Sequence, residues 1–158
     1  MNAEVRHQPA LRVLGMRHIG PYNQIGNTFQ KLMGSVNTEG IRPKAVLAAY
    51  LDDPSQVPAE ELRSDACVVV ADDFPDRGEG ATAEGDLHTF ILPAGDYTVG
   101  THVGPYSGLG DAWQALFNWM TTHGQVPDES VCYEVYLDDM SKNPDPATLR
   151  TELYAPVR

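Results

Sequence analysis

Short blocks of hydrophobic residues, separated by glycine, proline and acidic residues, recur along the whole chain. Blocks of this length and composition are typical of β-strands. In chain order they cover residues 5–6, 11–19, 46–51, 66–70, 87–92, 97–103, 131–137 and 151–157. Because the connections between neighbouring blocks are short, we expect the strands to pair mainly in an antiparallel manner.

Two longer segments place hydrophobic residues at intervals of three and four, which is the spacing of one face of an α-helix. The first stripe is Ile25, Phe29, Leu32, Met33 and Val36, and the second is Leu109, Trp113, Leu116, Phe117 and Met120. Asn23 and Ser107 are suited to cap the N-termini of these helices. Gly40 and Gly124, each followed by a proline, mark their C-terminal ends.

The predicted elements occur twice in the same order. The sequence His-Ile-Gly-Pro-Tyr at residues 18–22 returns as His-Val-Gly-Pro-Tyr at residues 102–106, and residues 2–43 align with residues 86–127 without a gap. Each copy reads strand-strand-helix-strand-strand. The sequence therefore predicts an α+β fold, in which a pseudo-twofold duplication forms an antiparallel sheet with both helices on one face.

The chain length of 158 residues suits one domain with a substantial core. Within this domain we predict a first half at residues 1–71, an acidic linker at residues 72–86 and a second half at residues 87–158. The linker is rich in Asp, Glu and Gly, which predicts a mobile and solvated spacer. A seam between duplicated halves is a common place for a ligand pocket, so the repeat itself suggests a binding site.

The chain carries 22 acidic and 11 basic residues, a formal net charge of −11. This balance argues against direct nucleic-acid binding, and it fits either a solubility role or a surface that attracts cations or a basic protein. Cys67 and Cys132 lack metal-ligand spacing, so we expect reduced core cysteines and neither metal nor cofactor. Without a visible signal sequence or a membrane-length hydrophobic run, the chain is predicted to be soluble, cytoplasmic and unattached to membranes.

The repeat breaks at one informative place. Residues 46–50 read Val-Leu-Ala-Ala-Tyr, whereas residues 132–136 read Cys-Tyr-Glu-Val-Tyr, so Ala48 corresponds to Glu134. A carboxylate in the middle of a hydrophobic strand is costly to bury unless it has a partner. That partner must come from a distant part of the fold or from a ligand.

Several segments together resemble the GyrI-like small-molecule-binding domain. They are residues 104–106, 113–120, 132–139 and 149–157 in the second half and residues 41–44 and 58–65 in the first. Members of this family stand alone as gyrase-inhibitory proteins or form the effector-binding part of multidrug-responsive transcription activators. The resemblance implies two helices that flank a groove over an antiparallel sheet, with Glu134 facing the ligand. We expect the stand-alone form, because the chain shows no DNA-binding segment.

A carboxylate among aromatic rings suits an amphipathic and cationic ligand, because the acid supplies the counter-charge and the rings add cation-π attraction. Strand alternation places Glu134 and Tyr136 on one face, with Tyr50 at the equivalent position of the first copy. The candidate ligand-binding residues are Glu134, Tyr136, Tyr50, Trp113, Phe29 and Trp119. The alternative is structural: Glu134 bonded to a tyrosine hydroxyl or a backbone N–H, with the aromatic side chains as plain core.

Three functions are consistent with these residues. The first is a binding module that senses or sequesters a small molecule. The second is a hydrolase of reactive electrophilic compounds, suggested by hydrolases within the same family, in which Glu134 acts as the base and Tyr136 or Trp113 assists. The third is an acidic inhibitor whose partner is DNA gyrase, or a module that acts with a separate regulator protein. We expect binding rather than catalysis.

Overall fold

The computed structural model describes residues 1–78, 80–139, 142 and 145–158. Its strands are β1 (Ala3–Gln8), β2 (Leu11–Ile19), β3 (Ala45–Tyr50), β4 (Arg63–Val69), β5 (Leu87–Leu92), β6 (Gly95–Val103), β7 (Cys132–Tyr136) and β8 (Arg150–Pro156). Its α-helices are α1 (Gly26–Thr38) and α2 (Leu109–Thr122). The predicted α+β class, the element order of the two copies and the antiparallel pairing are confirmed.

The first compact unit comprises Ala10–Pro93. Its four strands are ordered β3-β4-β2-β5, and every neighbouring pair is antiparallel. Helix α1 packs on β2 and β4 and buries Leu32 and Val36 from its hydrophobic stripe. The stripe read from the sequence is therefore the face that covers the sheet.

The second compact unit comprises Met1–Pro9 and Ala94–Arg158. Its strands are ordered β1-β6-β8-β7, again with antiparallel neighbours. Helix α2 packs on β6. The buried core between helix and sheet contains Ala112, Leu116 and Met120 from α2 and Leu153 and Ala155 from β8.

The unit boundaries differ from the repeat boundaries because each copy gives its first strand to the other unit. Strand β1, from the first copy, pairs with β6, whereas β5, from the second copy, pairs with β2. The chain crosses between the units after Pro9 and again after Pro93, which are equivalent positions in the repeat. Each unit is thus assembled from both copies.

The repeated His-x-Gly-Pro-Tyr sequence has a structural role. His18 Nε2 lies 3.0 Å from the carbonyl oxygen of Pro21, and the equivalent distance in the second copy, from His102 Nε2 to the oxygen of Pro105, is 3.1 Å. The intervening glycine has a φ of 135° in the first copy and 145° in the second, a conformation that favours glycine. The motif therefore fixes the turn between strand and helix.

The predicted helix caps are wrong. A 3₁₀ turn at Tyr22–Gln24 precedes α1 and another at Tyr106–Gly108 precedes α2, so the two helices start later than expected. Neither Asn23 nor Ser107 is the cap: Ile25 and Gly108 occupy the cap positions without a side-chain hydrogen bond. In both copies the Gly-Pro-Tyr sequence leads through the 3₁₀ turn into the α-helix, so the residue before the helix is itself part of a helical turn and makes no side-chain cap.

The acidic linker lies within the first unit and is hydrogen-bonded to strands of that unit. Glu84 Oε2 accepts a hydrogen bond from the backbone N–H of Ile19 at 2.7 Å, and its other oxygen lies 3.3 Å from His18 Nδ1. The backbone N–H of Thr89 donates to the carbonyl of Gly78 at 3.1 Å. These bonds hold the linker against β2 and the outer edge of β5.

Candidate functional site

Glu134 lies in the middle of β7 and is 1% exposed. It is paired in register with Leu153 of β8, a residue of the core beneath α2. Cys132, two positions earlier on the same strand face, also packs against that core. Glu134 is therefore on the helix-facing side of the second unit.

The partner of Glu134 within this unit is Trp113 of α2. The indole Nε1–H of Trp113 donates a hydrogen bond to Glu134 Oε1 at 3.0 Å. The second oxygen, Oε2, is buried and has no hydrogen-bond partner in the part of the chain that the structure describes. A buried carboxylate oxygen without a donor is costly, so this atom needs a structural or functional reason.

The Trp-Glu pair belongs to one copy only. In the repeat alignment Trp113 corresponds to Phe29 and Glu134 to Ala48. Phenylalanine has no N–H to donate and alanine has no oxygen to accept, so both ends of the hydrogen bond are missing from the first copy. The donor and the acceptor are present together or absent together, as expected for residues that work as a pair.

The second unit contains two pairs of aromatic rings on α2, on β7 and in the turn before α2. The rings of Trp113 and Phe117 are stacked with centroids 5.8 Å apart, and those of Tyr106 and Tyr136 contact at 5.3 Å. The pKa of Tyr106 is raised, first by burial and then by the negative charges of Asp138 and Glu134. Tyr106 therefore lies within the electrostatic reach of Glu134.

Tyr106 and Phe117 were absent from the candidate lining read from the sequence. Phe117 stood in the helical stripe, where it was interpreted only as a packing residue. Tyr106 stood in the repeated turn, where repetition indicated a role in the fold. Both residues therefore stood out in the sequence, but their patterns indicated a role in folding and gave no indication of a binding site.

The other sequence candidates are placed as follows. Trp119 stacks on His123 with ring centroids 4.0 Å apart and packs against the α2 core. Phe29 and Tyr50 belong to the first unit, where Tyr50 contacts Tyr22 at 4.6 Å. The structure thus brings Trp113 directly to Glu134, and the ligand-binding roles of all six candidates stay predictions.

The opposite face of the second unit carries a tyrosine cluster that sequence reasoning missed. The rings of Tyr133 and Tyr154 stack at 4.7 Å, and Tyr97 contacts both. Burial, and then the charge of Glu152, raise the pKa of Tyr154 to about 12, and its hydroxyl donates to Glu152 at 3.0 Å. The Tyr133 hydroxyl is also buried, and burial raises its pKa against a weak side-chain interaction with Gln8.

The first unit buries an ionic cluster on its sheet. Arg17 Nε donates to Asp65 Oδ1 at 2.8 Å, and His88 Nε2 lies 3.3 Å from Asp65 Oδ2. Burial acts to raise the pKa of Asp65, but interactions with His88 and Arg17 outweigh it and hold that pKa below its usual value. Asp65 is thereby kept ionised inside the sheet.

Two shallow clefts lie elsewhere in the structure. One is lined by Arg12, Asp76, Gly80, Thr89, Phe90 and Ile91, and the other by Asn2, Ala3, Glu4, Arg6, Val99 and Thr101. Glu134 lines neither. No helix within the described residues is long and hydrophobic enough to cross a membrane.

The whole chain, residues 1–158, matches the sequence model of the GyrI-like small-molecule-binding domain. The DNA gyrase inhibitor of Serratia proteamaculans is 36% identical over 146 residues, covering 88% of each chain. The DNA gyrase inhibitor of Escherichia coli K12 is 30% identical over 145 residues, covering 88% of this chain and 87% of its own. The crystal structure of the EcmrR C-terminal domain has a TM-score of 0.77 at 21% identity and covers 99% of this chain and 97% of its own.

Proposed function

Because the chain belongs to the GyrI-like family of small-molecule-binding domains, we propose that it binds an amphipathic cationic molecule at Glu134 and serves to sense or sequester it. One observation carries the proposal: Glu134 Oε2 is buried and lacks a hydrogen-bond donor among the described residues. A positively charged ligand would supply the missing counter-charge, and a cation that carries an N–H would supply the missing donor as well.

The surroundings of Glu134 suit such a ligand. Trp113, Phe117 and Tyr136 provide partly buried aromatic surface, and a cation near each ring gains about 0.5–2 kcal/mol. The apolar part of the ligand would be removed from water by the same rings. The net charge of −11 would also raise the local concentration of cations around the protein.

Binding at this position requires a local rearrangement. Glu134 is 1% exposed, whereas the rings of Tyr106 and Tyr136 are only partly buried. We expect the side chains of this tyrosine pair to move aside when the ligand enters. Changes of side-chain rotamer on binding are common. The rearrangement would cost part of the binding energy.

The test is a titration of rhodamine 6G and of tetraphenylphosphonium into the wild-type protein and Glu134→Gln. The amide keeps the shape and removes the charge, and we expect affinity to fall about tenfold or more. Glu61→Gln, which removes an exposed charge from the first unit, is the matched control and should bind like wild type. Equal affinities for wild type and Glu134→Gln would refute the role of this carboxylate.

A second candidate function is inhibition of DNA gyrase, which is favoured by the similarity to proteins named DNA gyrase inhibitor, one of which is 36% identical over 88% of this chain. The acidic surface would then face a basic region of the enzyme. A supercoiling assay with purified gyrase tests this directly, and supercoiling unchanged at high protein excess would exclude it. If inhibition occurs, Glu134→Gln should retain it, provided the surface and the ligand site are independent.

A further inference from the structure

We infer that the second His-x-Gly-Pro-Tyr turn, residues 102–108, is the movable entrance to Glu134, and that the ring of Tyr106 is its lid. The inference rests on the proposed function and names the device that admits the ligand. It follows from a comparison of the two copies of the turn, which have the same backbone hydrogen bonds but differ in the side chains that hold them.

The backbone bonds of the two turns match. In both copies the N–H of the motif's glycine donates to a leucine carbonyl at 2.8 Å, and the N–H two residues after the motif's tyrosine donates to the proline carbonyl at 3.0 Å. The four donors are Gly20 and Gln24 in the first copy and Gly104 and Gly108 in the second. A difference in mobility between the turns must therefore come from side chains.

The first turn is clamped through its tyrosine. The Tyr22 hydroxyl donates to the carbonyl of Asp52 at 2.6 Å and accepts the N–H of the same residue at 3.1 Å. In the second turn the Tyr106 ring contacts Tyr136 at 5.3 Å, but its hydroxyl makes no hydrogen bond with the described residues. The hydroxyl that anchors the first turn therefore does not anchor the second.

The first turn is also clamped through its histidine. Nδ1 of His18 lies 3.2 Å from the hydroxyl of Thr28 and 3.3 Å from Glu84 Oε1. The residue equivalent to Thr28 is Ala112, which has no hydroxyl. Within the described chain the one hydrogen bond of the His102 ring is the bond inside the turn, where Nε2 lies 3.1 Å from the proline carbonyl. His18 is accordingly 5% exposed, whereas His102 is only partly buried.

Tyr106 is the member of the tyrosine pair whose backbone is free to move. Tyr136 lies on β7, two residues after Glu134, and is paired in register with the fully buried Thr151. Tyr106 lies in the turn, outside the sheet, and its ring is close enough to Glu134 for that charge to contribute to its raised pKa. A movement of the turn would therefore uncover Glu134 while β7 keeps its place, as lid loops do at other binding sites.

The first experiment measures the two turns in the absence of a ligand. Amide hydrogen exchange of the full wild-type chain, followed by NMR, compares Gly104 with Gly20 and Gly108 with Gln24 after correction for intrinsic exchange rates. Because the second turn lacks the side-chain clamps, we expect its amides to be protected about tenfold less or lower still. Equal protection of the two turns would overturn the inference, whatever the protein binds.

The second experiment transfers one clamp to the second turn. Ala112→Thr supplies the hydroxyl that Thr28 offers to His18, and Ala112→Val has nearly the same shape without that hydroxyl. We expect Ala112→Thr to bind rhodamine 6G about threefold to tenfold more slowly than Ala112→Val in stopped-flow fluorescence, because opening then breaks an additional hydrogen bond. Equal association rate constants would exclude the turn as the entrance, and circular dichroism checks that both variants fold.

The outcomes separate the inference from the proposed function. Equal protection of the two turns, together with binding that is lost in Glu134→Gln, would remove the entrance and leave the proposed function standing. Faster exchange of the second turn without binding at Glu134 would remove the proposed function, and the entrance with it. The exchange measurement on wild type needs no variant, so it decides the mobility of the turn by itself.

Discussion

Replacing Glu134 by methionine should stabilise the protein, because function and stability make opposite demands on this carboxylate. Methionine has a similar length and no polar atoms, and it suits the hydrophobic core under α2. A binding residue can remain where it costs stability, whereas a purely structural residue should contribute to stability. The substitution therefore separates the two interpretations of Glu134 without knowledge of the ligand.

The magnitude follows from the two oxygens. The unsatisfied Oε2 costs about 1–3 kcal/mol or more, and the hydrogen bond from Trp113 to Oε1 returns about 1.5–3 kcal/mol before the cost of burying the charge is counted. Replacing buried ionic groups by hydrophobic ones is often neutral or stabilising by about 1–4 kcal/mol, and leaving the indole N–H of the partly buried Trp113 without its acceptor subtracts about 1 kcal/mol from that gain. We expect Glu134→Met to raise the free energy of unfolding by about 1–2 kcal/mol, or Tm by about 2–8 °C.

The assay is thermal and urea unfolding followed by circular dichroism and by tryptophan fluorescence, since two probes reveal any separate unfolding of the two units. Glu129→Met, at an exposed glutamate of the same unit, is the control and should change stability by about 0.5 kcal/mol or less. A loss of 1 kcal/mol or more in Glu134→Met alone would show that the acid is structural, and the ligand interpretation would lose its supporting observation.

Three further predictions test other parts of the structure. Tyr133→Phe should change stability by about 1 kcal/mol or less in urea unfolding, because the weak interaction of its hydroxyl with Gln8 and the cost of burying that hydroxyl are removed together. The pKa of Asp65 is lowered in the folded state, so its contribution to stability is complete above its unfolded pKa and is lost as the pH falls through the lowered value. Urea unfolding measured across pH should therefore show that wild type loses more stability below about pH 4 than Asp65→Asn does. Ala48→Glu should destabilise the first unit by about 3 kcal/mol or more, because it buries an acid at a 0% exposed position. Adding Phe29→Trp should recover about 1–2 kcal/mol if the indole donor is what makes the acid tolerable in the second copy.

The sequence predicts strands, helices and their order well because those features depend on local hydrophobic spacing. It does not predict that β1 and β5 exchange units. Each copy contains both hairpin strands with the same pattern, so pairing within a copy and pairing across copies look identical along the chain. Long-range packing makes the choice, and along the chain it is marked by the crossings between the units after Pro9 and after Pro93.

The sequence likewise predicts some features of the candidate site and misses others. Glu134 was visible as an anomaly because an acid interrupts a hydrophobic strand, and Trp113 was visible as an aromatic residue on the facing helix. That the indole N–H reaches one carboxylate oxygen depends on side-chain rotamers and on the height of the helix above the sheet. The tyrosine cluster was missed because tyrosine is an ordinary strand residue, and nothing in its spacing shows that three rings meet.

The two copies also show why asymmetry alone does not locate a site. Tyr97 and Tyr133 replace Val13 and Leu47 of the first copy, yet the rings pack against one another as an interior does. Such a difference needs no ligand, because burying an aromatic ring is favourable in itself. Burying an acid is not, and a single indole N–H satisfies only one of its two oxygens. The break in the repeat at Glu134 is therefore one for which packing gives no sufficient reason.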